Sequence, residues 1–286
     1  IRKNICRGVL FDRKLLNLHN AMKILHIIFS FMTGGAETML VDIVNEQAAR
    51  GNDVELLIVN SGIDEEIVSN ISPDVTVTRF NRKEGSMPLL LMARLNYFVL
   101  KRNPDVIHLH SHKLTGLLKV RKRATMFTVH CLNTPLRYCA SSNMSAISEA
   151  VKDDIKSRNA KARIRVISNG INTGSIATRE TRKPEVFHIV QVGRLMAELK
   201  GQDILIDALA DLLDRGYKAD VTFMGDGADR ESLARQAEEK GVAKYVHFKG
   251  NMTRKEIYST LKDYDIMCHP SRFEGFGLTV AEGMAA

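Results

Sequence analysis

The chain has 286 residues, 44% of them hydrophobic and 26% charged, with four cysteines and no Trp. This composition excludes a disordered chain, a collagen-like chain and a disulfide scaffold. No stretch approaches the roughly 20 apolar residues of a membrane span, and the spacing of Cys6, Cys131, Cys139 and Cys268 fits neither a zinc site nor a disulfide framework. A reduced, cytoplasmic protein of two domains is expected, because one domain usually has about 100–200 residues.

The two ends of the chain differ from the ends of a typical domain. Residues 1–21 lack an initial Met and strand-like alternation, so we expect an upstream, non-native extension with Met22 as the natural start. They contain no apolar segment before a small-residue cleavage site, as a signal peptide would. At the other end the chain stops at Ala286 within a predicted helix, and the second domain is expected to be incomplete.

From Met22 the chain alternates short apolar strands with helices, which is typical of strands buried on both faces of a parallel sheet. Strands are predicted at 23–28, 53–59, 75–79, 105–109, 125–129, 143–147 and 164–167. Helices are predicted at 36–50, 88–102 and 149–158. Residues 22–170 are therefore expected to form one Rossmann-like domain.

Residues 168–184 are polar and rich in Gly and Thr, and residues 171–184 are predicted to be the linker. Residues 185–286 then repeat the alternation, with strands at 186–192, 219–224, 245–248 and 264–268 and helices at 201–215, 228–240 and 253–262. The expected fold class is α/β, with two tandem Rossmann-like, doubly wound domains. Ligands of such domains bind at the carboxyl ends of the strands, so we expect a ligand in the cleft between the domains.

The loop after the first strand contains Gly34 and Gly35 but not the G-x-G-x-x-G pattern of a nicotinamide-binding unit. Two glycines at a helix N-terminus expose backbone N–H groups to an anion. A tight turn is the alternative interpretation of the same pair.

The second domain has stronger signals at its strand ends. Arg194 and Lys200 lie six residues apart on the loop that leaves the first strand of this domain. A planar guanidinium and a compact ammonium suit a diphosphate, although two solvated loop charges are the alternative. The next strand ends in Gly225-Asp226-Gly227, where the base or ribose of a nucleotide could approach the backbone.

Two carboxylates follow in the segment from Glu274 to Glu282, eight residues apart. The first lies in a glycine loop and the second about two turns into the next helix, so both can face a ligand at the helix N-terminus. Carboxylates suit sugar hydroxyls, and the N–H groups of residues 275–278 suit a phosphate. The spacing is too long for a carboxylate pair that acts on one atom.

Taken together, these motifs resemble family 4 of the GT-B glycosyltransferases, a retaining group that uses nucleotide sugars. The resemblance covers residues 22–286 and rests on motifs that occur in the family's order. They are Gly34-Gly35, Thr128-Val129-His130, the segment from Val166 to Ile171, Gly193-Arg194 with Lys200-Gly201, Gly225-Asp226-Gly227 and Glu274-x7-Glu282. The family continues beyond the end of this chain with a further strand and with helices, the last of which crosses back to the first domain.

The resemblance implies roles for the donor-binding residues. Arg194 and Lys200 would bind the donor diphosphate and offset the charge that builds on it when the glycosidic bond breaks. Backbone at Gly34 and Gly35 would close on the same diphosphate from the other domain. Glu282 would accept hydrogen bonds from the ribose hydroxyls.

Further roles implied by the resemblance concern the transferred sugar. Glu274 would hold its hydroxyls, and His130 would lie beside the reacting carbon. Glycine-loop backbone near the donor would come from Gly225, Gly227, Gly275, Phe276 and Gly277. Arg194 and Lys200 would do the electrostatic work of a metal, so no metal or other cofactor is expected. The donor is expected to be a UDP- or GDP-sugar.

The histidines His108, His110 and His112 alternate at a predicted strand end, so all three are expected on one face. A metal site is one interpretation, but no carboxylate lies at ligand spacing, and cleft-lining or core histidines are favoured. His110 is the residue we expect nearest the acceptor. His26, in the first strand, is expected to be structural.

Charge is unevenly distributed along the chain. Residues 1–183 carry 28 basic and 16 acidic side chains, against 13 and 17 in residues 184–286. A basic half predicts an anionic partner, and we favour an anionic membrane surface over nucleic acid, with a glycan or lipid-linked acceptor at the inner membrane face. The contact is assigned to Lys119, Arg121, Lys122 and Arg123. A solvated helix end is the alternative.

Two other functions fit the same architecture. A nucleotide-sugar 2-epimerase would need further carboxylates and a basic residue around the sugar ring, and a phosphorylase would need a pyridoxal lysine in a longer chain. A nucleotide-binding protein without turnover is the non-enzymatic alternative.

Overall fold

The computed structural model describes residues 21–120, 124–135, 143–180 and 183–286. Residues 1–20 of the predicted extension lie outside this part of the chain. So do Cys6 and Cys139, and so do Arg121, Lys122 and Arg123 of the predicted membrane contact.

The first sheet is a seven-stranded sheet with the order β3-β2-β1-β4-β5-β6-β7. Its strands are β1 (Lys23–Ile28), β2 (Asp53–Asn60), β3 (Val75–Arg82), β4 (Val106–Leu109), β5 (Ala124–Val129), β6 (Asn143–Ala146) and β7 (Ile164–Val166). The helices along the same part of the chain are α1 (Gly35–Ala49), α2 (Glu65–Val68), α3 (Pro88–Arg102), α4 (His112–Leu117) and α5 (Glu149–Arg158). β1 pairs in parallel with β2 and with β4, so the strand order reverses between β1 and β4. Ligand sites of doubly wound sheets form at the carboxyl ends beside such a reversal.

Burial explains why these strands are continuous apolar runs. Residues 56–59 of β2 are all buried, because helices cover both faces of a parallel sheet. α1 contributes Met39, Leu40, Val41 and Val44 to the core, at the spacing of one helix face.

The second sheet has four parallel strands in the order β10-β9-β8-β11. They are β8 (Phe187–Val192), β9 (Ala219–Met224), β10 (Val246–Gly250) and β11 (Ile266–Met267). The helices are α6 (Ala197–Lys200), α7 (Gln202–Asp214), α8 (Arg230–Glu239), α9 (Arg254–Thr260) and α10 (Leu278–Ala285), with 3-10 turns at Thr173–Ser175, Ala243–Tyr245 and Leu261–Asp263. Here the strand order reverses between β8 and β11. A ligand site is therefore expected at the carboxyl ends of these two strands.

The structure confirms the predicted α/β fold with parallel sheets. All predicted strands and helices are present within a few residues, whereas the short helices α2, α4 and α6 were not predicted. Helices of four to six residues are too short to show a helical hydrophobic period.

The described residues divide into two compact units. The first contains the described residues up to Val129 and those within Thr134–Ser145 and Arg158–Arg165, and the second contains those within His130–Asn133, Ala146–Ser157 and Val166–Ala286. The described residues of the predicted linker belong to the second unit, where Arg179 donates a hydrogen bond of 3.0 Å to Asp265. No helix of the described residues is both long and apolar enough to cross a bilayer.

Candidate functional site

The loops after β8 and β11 meet in the second unit at Gly201, between α6 and α7. Gly201 has φ +69°, and a Cβ atom there would lie 2.2 Å from the carbonyl oxygen of Pro270. Only glycine permits this approach, because other residues carry a Cβ and avoid left-handed backbone. Lys200, the last residue of α6, is thereby placed against the segment that follows β11.

Lys200 and Glu274 form the centre of the site. The Lys200 Nζ lies 2.8 Å from Glu274 Oε2, and His269 Nε2 lies 3.0 Å from the same oxygen. The backbone N–H of Gly275 donates to the other carboxylate oxygen over 3.1 Å. These contacts bring together two predicted residues 74 positions apart in the sequence.

The electrostatics of the site keep Glu274 ionised. The hydrogen bond from His269, assisted by Lys200, outweighs desolvation and lowers the pKa of Glu274 to about 2. An ionised carboxylate only accepts hydrogen bonds, so His269 Nε2 carries a proton towards it. Glu274 is therefore an ionised acceptor at neutral pH, held by Lys200, His269 and the N–H group of Gly275.

His269 was missed in the sequence, although it directly follows a predicted strand end. Its Nδ1 lies 3.3 Å from Thr279 Oγ1 on α10. The loop that carries it is pinned to α7 by Arg272, whose guanidinium bonds both carboxylate oxygens of Asp203 at 2.9 and 2.7 Å. A polar residue after β11, beside the reversal in strand order, was the available signal.

Arg194 extends from the β8–α6 loop, and its side chain is exposed. The predicted glycines of the neighbouring strand pack on this loop. A Cβ at Gly225 would lie 2.2 Å from the Gly193 carbonyl oxygen, and one at Gly227 would lie 2.3 Å from the Leu195 carbonyl oxygen. Close packing of two loops thus requires these glycines.

The glycine loop after Glu274 leads into α10. Gly277 precedes the helix with φ +80°, and Phe276 is partly buried. A Cβ at Gly275 would lie 2.6 Å from the carbonyl oxygen of His130, which belongs to the same unit. Burial lowers the pKa of His130 to about 4, so its imidazole is neutral at neutral pH.

Glu282 lies on α10 and is held by a tyrosine that the sequence did not indicate. Tyr258 donates its hydroxyl to Glu282 Oε1 over 2.7 Å, and Arg254 Nε donates to the tyrosine oxygen over 2.8 Å. Burial, and then the neighbouring carboxylate, raise the pKa of Tyr258. A hydroxyl in this state remains protonated and fixes one oxygen of Glu282.

The remaining predicted residues belong to the first unit. Gly34 precedes α1 with extended backbone, and Gly35 is the first residue of the helix, which leaves their N–H groups at its N-terminus. His110 follows β4, at the reversal in strand order. Both positions lie at carboxyl ends of strands, as predicted.

The histidine cluster differs from the expectation. His110 and His108 pack with His26 of β1, and ligand nitrogens of these three buried residues lie within 4.8 Å of one another. His112 instead begins α4, because the strand ends at Leu109. The three alternating histidines therefore do not form one strand face.

Hydrogen bonds satisfy ring nitrogens of the three buried histidines. His26 Nε2 lies 2.7 Å from Gln47 Oε1, which can only accept, so His26 Nδ1 accepts from His110 Nε2 over 3.0 Å. His108 Nε2 similarly lies 2.6 Å from the hydroxyl of Thr128. Burial lowers the pKa of His26 to about 4, which is consistent with a neutral network.

Two family models match the chain. One, described as Glycosyltransferase Family 4, covers residues 33–175, half of the chain, and the other, described as Glycosyl transferases group 1, covers residues 176–286. The chain is 27% identical to the lipopolysaccharide core biosynthesis glycosyltransferase LpsE of Rhizobium meliloti over 276 residues, which are 92% of this chain and 76% of that protein.

Solved structures share the fold. Anabaena HepE, in complex with UDP and glucose, matches with a TM-score of 0.73 and 23% identity over 92% of this chain and 78% of its own. A variant of S. aureus TarM, in complex with fondaparinux, alpha-GlcNAc-glycerol and UDP, matches with a TM-score of 0.74 and 12% identity over 92% and 84%. With the strand orders and the family matches, these likenesses lead to one conclusion: the chain has the GT-B fold and belongs to glycosyltransferase family 4.

Proposed function

We propose that the protein transfers a sugar from a UDP- or GDP-sugar to a glycan or lipid-linked acceptor, with retention of anomeric configuration. The observation that carries the proposal is the cluster of Lys200, His269 and Glu274 at the carboxyl ends of β8 and β11. A fixed carboxylate suits sugar hydroxyls, and adjacent cations suit phosphates. One site therefore has groups for both ends of a nucleotide sugar.

Donor binding would rearrange this cluster. Hydroxyls of the transferred sugar replace Lys200 as donors to Glu274, and the Lys200 ammonium turns to the diphosphate together with Arg194. Backbone N–H groups at Gly275, Phe276 and Gly277 approach the phosphates, and those at Gly34 and Gly35 are proposed as further diphosphate ligands. The loop of Gly225 and Gly227 approaches the nucleoside, and Glu282 accepts from the ribose hydroxyls.

Cleavage of the glycosidic bond leaves negative charge on the diphosphate. Arg194 and Lys200 stabilise that charge, so the proposed reaction requires no metal or other cofactor. His130 is neutral and offers a polar contact beside the reacting carbon without adding a positive charge. The leaving phosphate takes the proton of the acceptor hydroxyl, which attacks from the same face and retains the configuration.

The proposed acceptor is lipid-linked, and His110 is the residue proposed for the acceptor side. The R. meliloti relative is named for lipopolysaccharide core biosynthesis, which supports this choice, and UDP in both matched complexes supports a UDP-sugar donor. The positive charge of the first unit, including Lys119, favours attachment to the inner face of an anionic membrane.

The test combines binding with product analysis. Calorimetry with UDP and GDP identifies the nucleotide, and NMR of the anomeric proton after incubation with UDP-sugars and acceptors reports transfer and configuration. Lys200→Met should weaken diphosphate binding by about 1.5–3 kcal/mol, the contribution of a charge-assisted hydrogen bond. Lys218→Met, at an exposed site of the same unit, is the matched control.

The same spectra separate the alternatives. Inversion at C2 of the sugar without an acceptor would identify an epimerase, and nucleotide binding without any product would favour a binding protein. Equal UDP affinity of wild type and Lys200→Met would remove the donor site from this cluster.

A further inference from the structure

The outer face of α3 and the residue before the helix, Met87, are unusually apolar. Met87, Leu89, Leu90, Tyr97 and Leu100 are each 60–70% exposed. They are five of the 16 large apolar residues exposed in the described part of the chain, gathered within 14 consecutive positions. Exposed apolar side chains that cluster in this way mark interaction surfaces, whereas isolated ones are ordinary.

This face is not needed for the core. The inward side of α3 is formed by Leu91, Leu95 and Val99, which are buried at helical spacing. α3 is therefore apolar on both sides, with one side packed in the protein and the other exposed.

The charge of the sequence around α3 is mostly positive. Residues 82–123 contain ten Lys and Arg but two Asp and Glu, and the rest of the chain has 31 of each, so this segment accounts for the whole net charge of +8. α3 contains no acidic residue. Lys83, Lys101 and Lys119 are exposed within the segment.

Residues 117–120, near the end of the basic segment, are hydrogen-bonded to α3. Asn96 of α3 donates its side-chain amide to the Leu117 carbonyl over 2.9 Å, and its oxygen accepts from the N–H groups of Lys119 and Val120 at 2.6 and 2.8 Å. Between them lies a shallow apolar hollow of about 350 Å³, which Met92 and Lys119 help to line. Residues 121–123, which are all basic, follow in the sequence directly after the residues that Asn96 binds.

We propose that the outer face of α3 inserts into the interfacial region of an anionic lipid bilayer, with the surrounding lysines at the headgroups. Apolar side chains with a mostly basic surround are typical of helices that lie in a membrane interface. A second copy of the chain fits poorly, because pairing this face would bring two positive fields together. The purpose of the attachment rests on the proposed lipid-linked acceptor, but lipid binding itself requires no sugar transfer.

The absence of Trp from the chain allows a direct test. Leu90→Trp introduces a single reporter on the outer face of α3, and Tyr217→Trp places one at an exposed site of the second unit as the control. With phosphatidylglycerol vesicles at low salt, we expect a blue shift of the emission for the first variant only, reversed at high salt. No shift for Leu90→Trp, or the same shift with pure phosphatidylcholine, would overturn the proposal.

Co-sedimentation supplies a second measurement. The variant Leu89→Ser/Leu90→Ser/Leu100→Ser should bind phosphatidylglycerol vesicles at least tenfold more weakly than wild type, and Tyr217→Ser should bind equally well. Unchanged binding of the triple variant, or a wild-type dimer that this variant loses, would refute insertion of α3. Transfer to a water-soluble acceptor should survive in the triple variant. If neither the wild type nor any variant transfers sugar, but vesicle binding follows the pattern above, the proposed function fails and this inference stands.

Discussion

Glu274→Gln removes the negative charge at the centre of the site and preserves the size of the side chain. In the folded protein the pKa of Glu274 is about 2 instead of 4.5, mainly because His269 donates to it and because Lys200 lies nearby. A shift of this size corresponds to about 3 kcal/mol between the two protonation states. Because the group is partly exposed, solvent screening reduces the expected stabilisation to about 1–2 kcal/mol.

The stabilisation depends on pH in a defined direction. A carboxylate with a lowered pKa stabilises the fold fully above its unfolded pKa and loses this contribution as the pH falls through the folded one. For Glu274 the window runs from 4.5 down to about 2. The free energy of unfolding should therefore differ between wild type and Glu274→Gln near pH 7, and the difference should fall to about half or less near pH 3.

Urea unfolding followed by circular dichroism at both pH values measures this difference. Glu238→Gln, at an exposed position of α8, is the control and should change the free energy by less than about 0.5 kcal/mol. Equal stability of wild type and Glu274→Gln near pH 7, or a difference of the same size at both pH values, would refute the assigned electrostatics.

Three further predictions follow from single contacts. Tyr258→Phe should weaken UDP binding about tenfold in calorimetry but leave the binding of 2′,3′-dideoxy-UDP unaffected, because the tyrosine hydroxyl positions Glu282 for the ribose hydroxyls. An equal loss of affinity for both nucleotides would contradict this role. Gly201→Ala should destabilise the protein by about 1–3 kcal/mol more than Gly216→Ala in urea unfolding, since both have positive φ but only the first meets a backbone oxygen. The ring resonances of His130 should stay constant from about pH 8 to about pH 5.5 in NMR, and a midpoint near its ordinary 6.5 would show that the imidazole is hydrated.

The long elements could be predicted because each is a local pattern. Strands such as β2 are apolar throughout, and α7 and α8 end next to glycines, so the two parallel sheets followed from the sequence. The lateral order of the strands is not local, and it is this order that places His26 beside His108 and His110. A strand histidine that looks structural in the sequence thus becomes part of a buried network.

Side-chain partners across the site could not be predicted for the same reason. Glu274 and Lys200 were both assigned from their loops, but their contact joins loops that are distant in sequence. Tyr258 lies on α9 at a position that reads as an ordinary helix face, and only the packing of α9 against α10 brings its hydroxyl to Glu282.

The close packing of the glycine loops changes how a mutational scan of this protein should be interpreted. At positions 201, 225 and 227 any Cβ would meet a backbone oxygen at 2.2–2.3 Å, whether or not a ligand is bound. Variants at these positions will be depleted from a library selected only for folded, abundant protein, whereas substitutions at Gly51 and Gly241 meet open space and carry only the cost of their positive φ. Depletion at the three site glycines therefore reports folding, and selection at Arg194, whose side chain is exposed, is the better measure of donor recognition.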